Sequence, residues 1–195
     1  MAIKQFKDFD KVKAYGSGAE QLPRGGYVCK IIGARIIDGS YGQSVKIALD
    51  VAEGDHAGFY QKKYDADDRE DKKWTFTYLL NVPNDDGSEQ DGWTKRKFRT
   101  FTDALEESNP GYHFDWDEQK FKNKLVGVVV NYREWSNEGR SGWAPNPASF
   151  YAADAIRKGE FKQVQDKPLP QSKKPKQDDN EWLNVPEGTI AELNF

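Results

Sequence analysis

The chain has 195 residues, 36% of them hydrophobic, which supports one modest core with appendages and argues against two full domains. A single cysteine, Cys29, excludes an internal disulfide framework and fits a reducing compartment. The formal net charge is −3, against the basic footprint expected of a nucleic-acid binder; residues 163–195 hold 4 basic and 6 acidic side chains, leaving a near-neutral 25 and 26 in residues 1–162.

Residues 1–24 are polar, contain Gly16-Ser17-Gly18 and end at Leu22-Pro23, the pattern of a loose N-terminal arm. The start, Met1 to Phe9, has no apolar signal segment, and no apolar run reaches bilayer-spanning length. A cytoplasmic protein without membrane contact is the expectation. Tyr27 to Ile37 reads as a long first strand with a bend or bulge at Gly33. After the turn Asp38–Gly42, Ser44 to Val51 alternates. Val45, Ile47, Leu49 and Val51 face inward, and Ser44, Lys46, Ala48 and Asp50 outward. A third β region is expected near Phe59-Tyr60, interrupted by an acidic loop and resuming at Trp74–Tyr78.

Asn81 to Trp93 reads as a polar loop. Phe98, Phe101, Thr102 and Leu105 then mark one face of a helix that Ser108-Asn109-Pro110-Gly111 ends. Leu125 to Tyr132 predicts a central strand, Trp135 to Trp143 a loop, Ser149 to Ala153 a short last strand and Ala155 to Lys162 a short helix. Pro145 and Pro147 count against strand structure at their positions. The expected fold is mainly β: a five-stranded OB-type Greek-key barrel over residues 25–162, with its helix between strands 3 and 4. The rival is an unrelated α+β domain with the same element order. From Gln163 the composition turns to Gln, Lys, Pro, Asp and Ser, so residues 163–195 are expected to form a flexible, disordered acidic tail.

Single strands are held where aromatic faces stack bases and Lys or Arg neutralises phosphates. At the positions an OB-fold uses for oligonucleotides, the sequence offers Tyr41 in the first loop and Lys46 on the second strand. The third β region offers Tyr60, Lys62, Lys63, Tyr64, Lys73 and Trp74, and the last loop Trp135, Arg140 and Trp143. Six tryptophans in a small domain must largely serve the core. Trp74 and Trp116 fit core or surface equally, whereas Trp135 and Trp143 fit the surface better.

Enzymatic readings find little. The histidines are His56 and His113, Cys29 falls within a predicted strand, and neither zinc-ligand spacing nor a phosphate loop is present. Asp65, Asp67, Asp68 and Glu70 could hold a divalent metal in a nuclease, but a solvated acidic loop is the better account. No cofactor is expected. At the C-terminus, Asp178, Asp179 and Glu181 precede Trp182, and the chain closes on Glu192-Leu193-Asn194-Phe195. This resembles the partner-docking tail of bacterial single-strand-binding proteins, with Leu193 and Asn194 standing where that tail has Ile and Pro. Trp182, Glu192, Leu193 and Phe195 are the expected docking residues, Phe195 presenting an aromatic ring and the terminal carboxylate together.

The body resembles a phage family catalogued only as a domain of unknown function, whose members are phage single-stranded-DNA-binding-like proteins. The resemblance rests on Leu22-Pro-Arg-Gly-Gly-Tyr-Val-Cys-Lys-Ile31, Leu49-Asp-Val-Ala-Glu-Gly54 and Lys72-Lys-Trp74. It continues through Glu106-Glu-Ser-Asn-Pro-Gly-Tyr112, Trp116-Asp-Glu118, Leu125-Val-Gly127 and Ile156-Arg-Lys-Gly-Glu-Phe-Lys162. It implies a phage protein of replication or recombination, without catalytic residues. The implied partners are single-stranded DNA and phage or host proteins such as an ATPase, a helicase or a primase, with a homo-oligomer among the expected assemblies. The neutral body charge favours a different expectation, an interaction module that binds such an enzyme without touching DNA.

Overall fold

A computed structural model describes residues 20–39, 42–137 and 139–170, with Lys7 alone before them. Five antiparallel strands form one sheet in the order β3-β2-β1-β4-β5. Strand β1, Gly25–Gly39, is long enough to serve two neighbours. Its first residues pair with β4, Leu125–Asn137, and its later ones with β2, Gly42–Val51. The register shifts between Ile31 and Gly33, the bulge expected at that glycine. Strand β3, Thr77–Asn81, and β5, Arg140–Tyr151, are the two sheet edges. They touch, but among the described residues no bridge joins them, so the hydrogen bonding of the sheet is not closed into a barrel. Among the described residues no helix is long and apolar enough to cross a membrane.

Helix α2, Glu89–Ser108, lies between β3 and β4 in the chain and covers the inner face of the sheet. Phe98, Phe101, Thr102 and Leu105 are all buried, as their spacing predicts. The helix begins nine residues before Phe98, because Ser88 caps it by accepting the Asp91 N–H at 3.1 Å. The expected loop therefore gives way to two further helical turns. At the other end Asn109 donates to Leu105 O and Leu125 O and accepts the Leu125 N–H, tying the end of the helix to the start of β4.

The third β region is corrected. Phe59–Asp65 is helix α1. The Asp50 carboxylate, expected to face outward, is buried and accepts the N–H groups of Val51, Tyr60 and Gln61 at 2.9–3.2 Å. It thus supplies from β2 the capping that Gly58 cannot. Ser44 is buried too, its hydroxyl bonded to Asn81 Oδ1 at 3.0 Å.

Three consecutive valines on β4 are buried because the sheet is covered on both faces there. Val128 and Val130 join the main core, while Val129 meets Val28, Ala153 and Ile156. The latter two belong to α3, Ala153–Arg157. Strand β5 runs through Pro145 and Pro147, against expectation; it is an edge strand, where a missing N–H leaves no central ladder bond unmade.

The segment from Gln163, expected as the head of the tail, lies along the part of β4 that extends past β1. Lys167 bridges Arg133 in parallel, and Lys167 N donates to Tyr132 O at 2.8 Å. Asp166 accepts the Tyr132 N–H and a two-point contact from Arg24. The Arg24 guanidinium, 2.5 Å away, followed by the Tyr132 N–H, holds the Asp166 carboxyl below the ordinary aspartate range. A carboxyl depressed in the folded state stabilises above its unfolded pKa and stops doing so as pH falls through the folded one. The Tyr132 amide resonance is therefore expected to stay fixed from neutral pH down to about pH 4 and to move below that. A shift completed near pH 6 would show that Asp166 does not hold this segment.

Candidate nucleic-acid interface

Past the segment that flanks Tyr132–Glu134, strands β4 and β5 continue as a two-stranded ribbon turning at Gly139 (φ 75°). This replaces the loop expected between Trp135 and Trp143 with regular pairing. Trp135 pairs with Gly142, Arg133 with Ala144 and Asn137 with Arg140, while Trp143 pairs with Glu134. Side chains alternate across a ribbon, so Arg133, Trp135 and Arg140 share one face and Trp143 belongs to the other. Trp135 is 43% exposed and Trp143 41%. A Cβ on Gly142 would stand 3.2 Å from the Trp135 ring, so the absence of a side chain there lets the indole lie close on the neighbouring strand. Neither Arg133 nor Arg140 forms an ion pair with another described residue. The Trp143 side of the ribbon is occupied differently. Gln21 Nε2 donates to Trp143 O, and the Glu134 carboxylate accepts the Leu169 N–H.

A second basic row crosses the outer face of the sheet. Lys46 stands between Arg35 on β1 and the half-exposed Leu79 on β3. The sequence points to Lys46 at this position but to neither Arg35 nor Leu79.

The residues expected on a third strand fare differently. Tyr60 is buried and stacks on Phe76, ring centroids 4.3 Å apart, which makes it core. Trp74 donates its indole N–H to Leu49 O at 2.8 Å and packs against Tyr64, whose ring is also covered by the Lys72 ammonium. Lys62 and Lys63 are exposed on α1, and Lys73 is exposed on the connection that follows. Tyr41, Trp182, Glu192, Leu193 and Phe195 lie outside the described residues.

Neighbouring carboxylates draw much of the remaining positive charge. Lys95 pairs with Asp85 and Asp91, Arg99 with Asp103, and Lys120 with Asp115 and Asp117. In the acidic loop, the two-point contact with Arg69 pulls the Asp67 carboxyl down to about 2. Among the described residues no group of three or more His, Cys, Asp or Glu side chains is placed to hold a metal ion. Cys29 is fully buried, and that burial pushes its thiol up. Trp116 is 77% exposed, with φ 68°, stacked on Phe98 at 6.0 Å. Its neighbours Asp115 and Asp117 engage Lys120, so it sits among charges unsuited to phosphate.

Compared with known proteins, the chain matches no family model and no curated protein at a significant level.

Proposed function

We propose that this is a phage-encoded, non-enzymatic single-stranded-DNA-binding protein of the OB type, acting in the host cytoplasm during DNA replication or recombination. The observation that carries the reading is the ribbon face on which Trp135 lies between Arg133 and Arg140. A ring that stacks any base, flanked by cations that meet phosphates on either side, is the chemistry of sequence-tolerant single-strand binding. Arg35 and Lys46 extend that chemistry to the sheet. The strand order and the position of α2 match the element order of an OB barrel, which supports the fold part of the proposal.

Titration of the intrinsic tryptophan fluorescence with oligo-dT tests it. If Arg35, Lys46, Arg133 and Arg140 each neutralise a phosphate, log K falls against log salt with a slope of about −3. A flat salt response or equal affinity for duplex overturns the proposal. The near-neutral charge of residues 1–162 favours the second reading, an interaction module that ignores DNA, and an unquenched titration would support it.

The proposal includes recruitment of partner proteins through Trp182, Glu192, Leu193 and Phe195. Truncation after Pro170, which spares the segment packed on β4, is expected to keep the fold and DNA affinity and to abolish capture of a phage or host recombination ATPase, helicase or primase. Capture that survives truncation removes the tail from the proposal.

A further inference from the structure

Trp93 is 52% exposed on the first turns of α2, and the Arg96 guanidinium lies 4.6 Å over its ring. Residues three apart on a helix share a face, so Arg96 backs the indole from the next turn. A large apolar ring held half in water by a cation has no packing role that explains it. The ring borders a shallow depression with Leu79, Asn81, Gln90, Thr94 and Lys97. Leu79, half exposed, also lines it and is the cross-strand neighbour of Lys46, which in turn neighbours Arg35. Strands lie about 4.8 Å apart, so the row from Leu79 to Arg35 spans about 10 Å. The depression thus brings the aromatic ring of the helix and the exposed Leu79 to one place, and the register continues from Leu79 to the two cations on the sheet. The rim is polar in a useful way. Asn81 Oδ1 already accepts from Ser44, which leaves the amide N–H groups of that side chain for an outside acceptor such as a base carbonyl.

We propose that the Arg96-backed indole of Trp93 is a base-stacking platform that extends a single-stranded DNA track from Arg35 and Lys46 over the β3 edge onto α2. This inference rests on the single-strand reading of the preceding subsection. It adds a site on the helix, separate from the β4–β5 ribbon. Lys97 borders the depression and forms no ion pair with another described residue, so it is placed to meet the phosphate of the stacked nucleotide.

The test uses the full chain and fluorescence anisotropy of an end-labelled oligo-dT of about 20 nucleotides, longer than the usual site of one OB domain. Trp93→Ala is expected to weaken binding about five- to a hundredfold, while Trp93→Phe, which keeps a stacking ring, stays within about threefold of the parent. Thermal unfolding of both variants should match the parent, because the ring is half in water. Parental affinity in Trp93→Ala, alongside weakened binding in Trp135→Ala, overturns the platform and leaves the single-strand reading standing. Equal losses in Trp93→Phe and Trp93→Ala also overturn it, since stacking would then not be the interaction lost. Absence of oligo-dT binding by the parent protein overturns both.

Discussion

Gly127→Ala is expected to lower the unfolding free energy by about 3 kcal/mol, the upper end of what one inserted methyl costs a packed core. Gly127 sits on β4 opposite Val28, on the face of the sheet that α3 covers. A Cβ there would stand 2.5 Å from Ile156 Cγ1, 2.7 Å from Tyr151 O and 2.9 Å from Ala152 O. Two of those atoms are backbone carbonyls, Tyr151 O at the end of β5 and Ala152 O in the connection to α3, so no rotamer change clears the space. The whole connection must lift, taking Ala153 and Ile156 off Val28 and Val129. Gly26→Ala makes an informative contrast. Its Cβ would meet ring atoms of Phe161 at 2.6–3.0 Å, and a side chain can swing aside. Urea unfolding should therefore rank Gly127→Ala well below Gly26→Ala, with a drop in Tm of about 6–12 °C for the former. Ile156→Ala added to Gly127→Ala should not restore stability, since both carbonyls remain. Equal stability of Gly127→Ala and the parent would show that α3 does not seat on β4 as described.

The elements that the sequence makes legible are those whose burial is decided by their own pattern. The inward row of β2, Val45, Ile47, Leu49 and Val51, and the four-residue face of α2 are each buried against the core as their patterns predict, whereas Ser44 and Asp50 on the outward row of β2 are buried as well. What was not legible depends on residues distant in the chain. Helix α1 forms where Phe59-Tyr60 suggests a strand, because its N–H groups are received by Asp50, nine residues before it on another element. Pro145 and Pro147 argue against a strand until β5 is known to be an edge. The ribbon hid behind Gly139 and Ser141, turn-forming residues that fit a loop equally well.

The candidate site divides in the same way. That Trp135 and Arg140 belong to a binding surface is readable from an exposed aromatic near a basic residue. Which tryptophan accompanies Arg140 is not, because only pairing register assigns faces. Once Trp135 is opposite Gly142, Arg133 joins it and Trp143 leaves. Trp93 and Arg96 carried a local signal, an aromatic and a cation three residues apart. It became readable only when the start of α2 moved back to Glu89.

Trp135→Ala and Trp143→Ala should consequently differ, although the two residues are almost equally exposed. Trp135 stands on the face with Arg133 and Arg140, so its removal takes away a stacking surface between two phosphate-binding cations. The expected loss is about 1–3 kcal/mol of binding to oligo-dT, with thermal stability nearly unchanged. Trp143 faces the side of the ribbon where Glu134 receives the Leu169 N–H, and a carboxylate repels phosphate. Trp143→Ala should leave affinity within about 0.5 kcal/mol of the parent, as surface substitutions away from a functional feature do. Arg133→Ala supplies the internal check. It removes one phosphate contact and should flatten the salt slope by about 0.7. Losses of equal size in the two tryptophan variants would mean that the strand wraps the ribbon on both faces. A loss confined to Trp143→Ala would place the binding face on the side of Glu134 and overturn the assignment made from register.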